Sequence, residues 1–301
     1  GLLYFYAAAR RLLPGISLSP RHDPEAMGRI LRLGWSMFLG QAAWSVLNQL
    51  DKVVLAYYVP MDQLVHYIIP FTLAQKLVLL LGPILPVLLP FSSQLSNAAD
   101  RPNARRLMVS GTKVSFLILA PFAVLGCSFG PAFLELWLGG GYSEHGGWIL
   151  RWLLLANFAH GLGICAGVIA QGFGRFKEPA LLFTVLTVVV VLSWPVFVPH
   201  FGLVAAAVAH SVLQTLYLAG LLWWVCRRVL DMPPADLGTA LARPLACLLP
   251  LAAASFLLRN ALHGWAGLLA FGAAAGLYWA LAAWTWGLDD SERGRLLPSG
   301  P

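Results

Sequence analysis

The sequence predicts an all-α integral membrane protein, a multi-pass helical bundle. Three observations carry that expectation. Apolar residues make up 59% of the 301 residues and charged residues 11%, against roughly a quarter charged in soluble domains. Mean hydropathy is +0.74. The apolar stretches are continuous and about 20 residues long, the length a helix needs to cross ~30 Å of hydrocarbon. They lack the period-two alternation of a transmembrane barrel.

In chain order, the first apolar run, Gly1 to Ala9, is too short to cross, and Gly1–Leu13 reads as the end of a truncated helix. Residues 1–24 then form that stub and a cytoplasmic linker, with Pro24 at or near the first turn of the next helix. Full spans follow at Leu33–Tyr58, Gln63–Phe91, Leu107–Phe129, Trp148–Ala170, Pro179–Val198, Leu203–Val225, Leu241–Leu258 and Trp265–Trp286. The polar stretch Ser96–Arg106 reads as a short helix at the cytoplasmic interface. Gly82, Pro83, Pro86 and Pro90 predict a bend within the second span.

Charge fixes the direction of these crossings. Of the 20 Lys and Arg residues, fifteen fall on one side and only Arg151 and Arg259 on the other. The Arg-rich side is the cytoplasm. Because the basic residues are dispersed over several segments, the net charge of +7 signals topology and lipid headgroups, and nucleic acid is not an expected partner. Cys127, Cys165, Cys226 and Cys247 lack metal-ligand spacing, so neither a metal centre nor a cofactor is expected. No nucleophile elbow, phosphate loop or His–carboxylate cluster points to an enzyme.

Ionisable and polar groups inside the bilayer are the sharpest functional signal, since each costs about 2.5–3.5 kcal/mol at a helix centre. In the first full span Gln41, Ser45, Asn48 and Lys52 recur at offsets of three and four, forming one stripe with Asp51 on its border. Such a stripe should line a cavity. In the second span Gln75 and Lys76 lie near the midplane, too deep for Lys76 to snorkel. Lys113 is close enough to its span's start to reach the cytoplasmic surface. Asn157 and His160 sit mid-span, with His160 a proton-relay candidate and the closing of a backbone hydrogen bond its blander role.

Several segments resemble the second half of bacterial polysaccharide flippases, in the multidrug/oligosaccharidyl-lipid/polysaccharide exporter superfamily. They are Leu50-Asp51-Lys52-Val53-Val54-Leu55 followed by Tyr67, Leu89-Pro90-Phe91-Ser92, Asp100–Leu107, and Gly130-Pro131 with Leu136-Trp137-Leu138-Gly139. Gln171–Arg175 with Pro179-Ala180, and Pro199–Ala207, continue the series. The resemblance implies the second lobe of a MATE-like two-lobe transporter, over residues 25–230, plus two extra helices and a cytoplasmic tail over 231–301. An N-terminal lobe of the same protein would be its partner. It implies translocation of an undecaprenyl-pyrophosphate-linked oligosaccharide across the bacterial inner membrane by alternating access, for polysaccharide or lipopolysaccharide synthesis. A multidrug or cation antiporter and a membrane enzyme of envelope assembly are the alternatives. The partners implied are that lipid-linked substrate and membrane lipids. The cavity candidates are Gln41, Asn48, Asp51, Lys52, Gln75 and Lys76, with Lys52 and Lys76 for the pyrophosphate and Gln41 and Asn48 for sugar hydroxyls.

Overall fold

The computed structural model describes residues 23–83, 85–95, 100–139, 141–262 and 264–287. The stub Gly1–Leu13 and the basic residues Arg10, Arg11, Arg21, Arg293 and Arg295 lie outside them. The described residues fold into helices α1 (Pro24–Tyr58), α2 (Met61–Leu79), α3 (Leu85–Gln94), α4 (Arg101–Leu138), α5 (Tyr142–Gly172), α6 (Lys177–Trp224), α7 (Ala235–Leu258) and α8 (Gly264–Ala282). Among them there is no strand. Lipid supplies no hydrogen bonds to a bare backbone, so a chain this apolar must satisfy its peptide groups within each helix.

Among the described residues, five helical stretches are long and apolar enough to cross a membrane: Arg101–Leu138, Gly146–Gly172, Lys177–Val229, Ala235–Leu258 and Gly264–Gly287. The third has 53 residues, about 80 Å at 1.5 Å per residue, far more than one crossing. It contains the two expected spans, joined at Gly202, whose φ of 61° and ψ of −148° suit a residue without a Cβ. Helices α1 and α2 miss that count because their polar residues dilute them. They nonetheless pack in the bundle, α1 against α6 and α2 against α5.

Local chemistry sets the helix ends. The Asp23 carboxylate accepts the Glu25 N–H at 3.0 Å and Pro24 opens α1, as expected of a capped N-terminus. Pro60 separates α1 from α2. The second expected span is two helices rather than one bent helix. Leu80–Pro83 form a tight turn with i→i+3 bonds such as Gly82 N–H to the Leu79 carbonyl at 3.0 Å, and Pro83 cannot donate to continue the ladder. The expected interfacial helix at Ser96–Arg106 is absorbed from Arg101 onward into α4, 38 residues long.

Helix α5 is the centre of the bundle, packing against α2, α3, α4 and α6. Lipid tails are as apolar as Leu, so packing rather than the hydrophobic effect must hold these helices together. Small residues permit it. A Cβ on Gly126 or Gly130 of α4 would lie 2.7 or 2.5 Å from a methyl of Leu154 or Leu150 of α5, and one on Gly161 of α5 would lie 2.3 Å from Leu119 of α4.

Proline is used in α4 in a way that ties the lobe together. Pro121 and Pro131 lie inside this continuous helix and leave the carbonyls four residues before them without their usual donor. Trp279 of α8 donates its indole N–H to Leu117 at 2.8 Å, and Arg151 of α5 donates Nε–H to Cys127 at 2.8 Å. Arg151 is therefore not a loop charge but an inter-helix clamp, its guanidinium also lying 4.8 Å from the Trp148 ring. On the Arg-rich side, Arg105 donates to the carbonyls of Leu230 and Asp231, closing the end of the π-helical turn Val225–Val229 that extends α6.

Replacing Trp279 by Phe keeps an aromatic ring but removes the donor together with the five-membered part of the indole. The Leu117 carbonyl is then unsatisfied away from water, at a cost of about 1–3 kcal/mol. Thermal unfolding in detergent should show a lowered midpoint for Trp279→Phe, and an unchanged midpoint would mean the bond contributes nothing.

Candidate functional site

The polar stripe of α1 meets α2 inside the lobe. Asp51 is 0% exposed. One carboxylate oxygen accepts the Lys52 backbone N–H at 2.7 Å and faces the Lys52 ammonium at 3.4 Å. The other accepts the Tyr67 hydroxyl of α2 at 2.9 Å. The Lys52 ammonium also donates to the Asn48 carbonyl and lies 4.2 Å from the centroid of the Phe71 ring, a cation–π contact. The Asn48 amide donates to the Trp44 carbonyl at 2.8 Å and accepts from Gln75 of α2 at 3.0 Å.

The sequence spacing explains half of this cluster. Offsets of three and four bring Trp44, Asn48, Asp51 and Lys52 to one side of α1. Tyr67, Phe71 and Gln75 show the same spacing on α2, which turns them toward α1. The outcome is a charge-balanced pair in which the carboxylate is fully enclosed while the Lys52 side chain keeps 25% of its exposure. A buried ion pair is tolerated when its remaining donors and acceptors are also bonded, and Tyr67, Asn48 and Phe71 do that here.

Asn48, Asp51, Lys52 and Gln75 are thus brought together. Gln41 and His160 are not in this cluster. They line a separate cavity between α1, α5 and α6, where the His160 ring stacks on Trp44 at 4.4 Å. Lys76 is also apart. Next to Gln75 in sequence but about 100° round the helix, it is exposed on the rim of an apolar groove formed with α4, α5 and α8. Lys113 is 3% exposed, so it is held inside the lobe and does not snorkel to the surface.

Two partners are not singled out by the sequence pattern. One is Tyr67 as the donor to Asp51. The other is His210 of α6, which is buried and edge-on to Phe71 at 5.8 Å. Gln214, one turn on, lies beside His160. Nδ1 of both histidines and both amide atoms of Gln214 lack a well-formed hydrogen bond within the protein. The recurrence at four residues was the available signal for this pair.

A family described as polysaccharide biosynthesis protein matches residues 4–145. A candidate O-antigen transporter from Shigella flexneri is 25% identical over 196 residues, which are 65% of this chain and 46% of the relative. The chain is thus similar in sequence to proteins of polysaccharide biosynthesis and O-antigen transport.

Two solved structures show the same fold. A MOP superfamily transporter from Pyrococcus furiosus superposes with a TM-score of 0.56 at 20% identity, covering 84% of this chain and 61% of that one. A multidrug resistance MATE family transporter of the same superfamily, in an outward-facing conformation, gives 0.56 at 21% identity, covering 77% and 52%. The MATE-like fold expected from the exporter resemblance is therefore present. The chain spans about half the length of the curated relative it matches.

Proposed function

We propose that this chain is part of a flippase that moves an undecaprenyl-pyrophosphate-linked oligosaccharide from the cytoplasmic to the outer leaflet of the bacterial inner membrane by alternating access. The observation that carries the proposal is the Asp51–Lys52 cluster, a bonded cation–carboxylate pair with flanking amides inside an apolar bundle of exporter type. A desolvated phosphate gains strongly from a cation. Lys52 is the partly exposed member of the pair and can turn from the Asn48 carbonyl toward an arriving pyrophosphate, with Asp51 and Tyr67 keeping its charge compensated when the site is empty. Asn48 and Gln75 supply neutral donors and acceptors beside it. Lys76 stands apart from this pair, on the rim of the apolar groove.

In this reading residues 25–230 form one six-helix lobe and residues 231–301 an added helical pair with its tail. A first lobe of the same protein closes the other wall of the cavity. The coverage of this chain on its longer relatives supports that division. The antiporter reading is favoured by one observation, the fully enclosed carboxylate of Asp51. That carboxylate is already paired with Lys52 and Tyr67, which leaves little capacity for a coupling cation, and His160 lies outside the cluster. A flippase accounts for the cluster better.

The test is deletion of the gene followed by measurement of lipid-linked oligosaccharide in each leaflet. The proposal expects the oligosaccharide to accumulate on the cytoplasmic side. An unchanged leaflet distribution would contradict it.

A further inference from the structure

A cavity lies two to three turns of α1 away from the Asp51–Lys52 pair and has a different chemistry. It has a volume of about 380 Å³, within the range of small-molecule sites. It opens between α1, the last turn of α5 and the first turns of α6, near the Arg-rich end of the bundle. No charged side chain lines it. Its polar groups are the amides of Gln41 and Gln171, the His160 ring and the Tyr217 hydroxyl. Among the described residues neither Gln41 nor Gln171 makes a side-chain hydrogen bond, and Nδ1 of His160 is buried without one.

The remaining wall is aromatic. Trp44 stacks on His160, lies 5.9 Å from Phe183, and Phe183 meets Tyr217 edge-on at 5.0 Å. Uncommitted amides offer donors and acceptors together. Aromatic rings offer flat apolar faces. With no Lys, Arg, Asp or Glu in its lining, the cavity has nothing with which to hold a phosphate or a cationic drug. A neutral pyranose fits this set, since it carries hydroxyls around its rim and C–H groups on its faces.

We propose that this cavity is a neutral-sugar subsite, holding a pyranose ring over Trp44 with Gln41 and Gln171 on its hydroxyls. The proposal rests on the glycolipid-transport reading and divides the labour within it. The Asp51–Lys52 cluster handles the charge, and the cavity reads the glycan. The two are linked along one face of α1, because the Trp44 carbonyl accepts the Asn48 amide at 2.8 Å. Gln41 and Lys52 are eleven residues apart, roughly 16 Å along the helix.

The experiment is saturation-transfer NMR on the full chain in lipid nanodiscs. The probes are methyl α-glucoside, methyl α-galactoside, methyl N-acetylglucosaminide and glucose 1-phosphate. At least one neutral glycoside should receive saturation on its ring C–H protons. The double change Gln41→Leu/Gln171→Leu should weaken its binding roughly tenfold, as expected for two lost hydrogen bonds. Both residues are exposed, so the substitutions open no core, and an unchanged unfolding midpoint checks this. No transfer to any neutral glycoside, binding indifferent to the double change, or preference for glucose 1-phosphate would each overturn the subsite. The leaflet assay separates this proposal from the one it rests on. Sugar binding without flipping overturns the transport reading alone, whereas flipping that the double variant leaves at full rate overturns the subsite alone.

Discussion

Replacing Asp51 by Leu is expected to destabilise the lobe by about 3 kcal/mol, near the low end of the range for breaking a buried ion pair because Lys52 keeps some exposure. The change strands the Lys52 ammonium in the bundle and leaves the Tyr67 hydroxyl without its acceptor. The double replacement Asp51→Leu/Lys52→Met should recover much of that loss, since a well-packed apolar pair replaces a charged one at little net cost. Transport should fail in both. Thermal unfolding of the single and double variants reads the coupling directly. A double variant no more stable than Asp51→Leu alone would mean that the two side chains do not stabilise each other.

Gly172→Ala is the second large effect. At the end of α5 a Cβ would lie 2.1 Å from Ser92 Oγ and 2.7 Å from the Ser92 backbone carbon. A backbone atom cannot rotate away as a side-chain tip can, so α3 must move off α5. Ser92 then loses its hydrogen bond to the Val168 carbonyl, 3.2 Å long. Overpacking of this kind costs about 1–3 kcal/mol. Gly167, five residues earlier on the same helix, has open space where a Cβ would stand, with nothing within 4 Å. Gly167→Ala should therefore be neutral or slightly stabilising through helix propensity. Equal unfolding midpoints for the two variants would contradict the packing account.

The sequence made some of this legible and hid the rest for physical reasons. Apolar run length is a property of single helices, and it located the five long apolar stretches from Arg101 onward. The α1 stripe was readable because helical periodicity is local. Its partners were not, since nothing in a linear pattern says which face of α2 will meet α1. Gln75 and Lys76 illustrate the limit. Adjacent in sequence, they point about 100° apart, one into the cluster and one to the apolar groove. Gly82 and Pro83 were visible as a bend, yet a bend and a full break differ only in whether the chain beyond packs elsewhere, and α3 packs on α5. Arg151 looked like a topology charge. Its role was encoded in Pro131, whose missing N–H frees the Cys127 carbonyl it fills.

Proline thus reads differently in this lobe than in a soluble helix. Each interior proline of α4 creates an acceptor that a neighbouring helix supplies with a donor, through Trp279 and Arg151. Hydrogen bonds between helices replace part of the hydrophobic drive that lipid removes. This leaves α8 attached to α4 by a specific bond as well as by packing.

The most direct test of the central claim is complementation of the gene deletion with the Lys52→Leu variant, scored by lipid-linked oligosaccharide in the outer leaflet. If Lys52 meets the pyrophosphate, Lys52→Leu should restore little or no outer-leaflet oligosaccharide per molecule of variant in the membrane, while Lys52→Arg restores a substantial part. Full restoration by Lys52→Leu would show that the cluster is a structural ion pair and that the anion is held elsewhere.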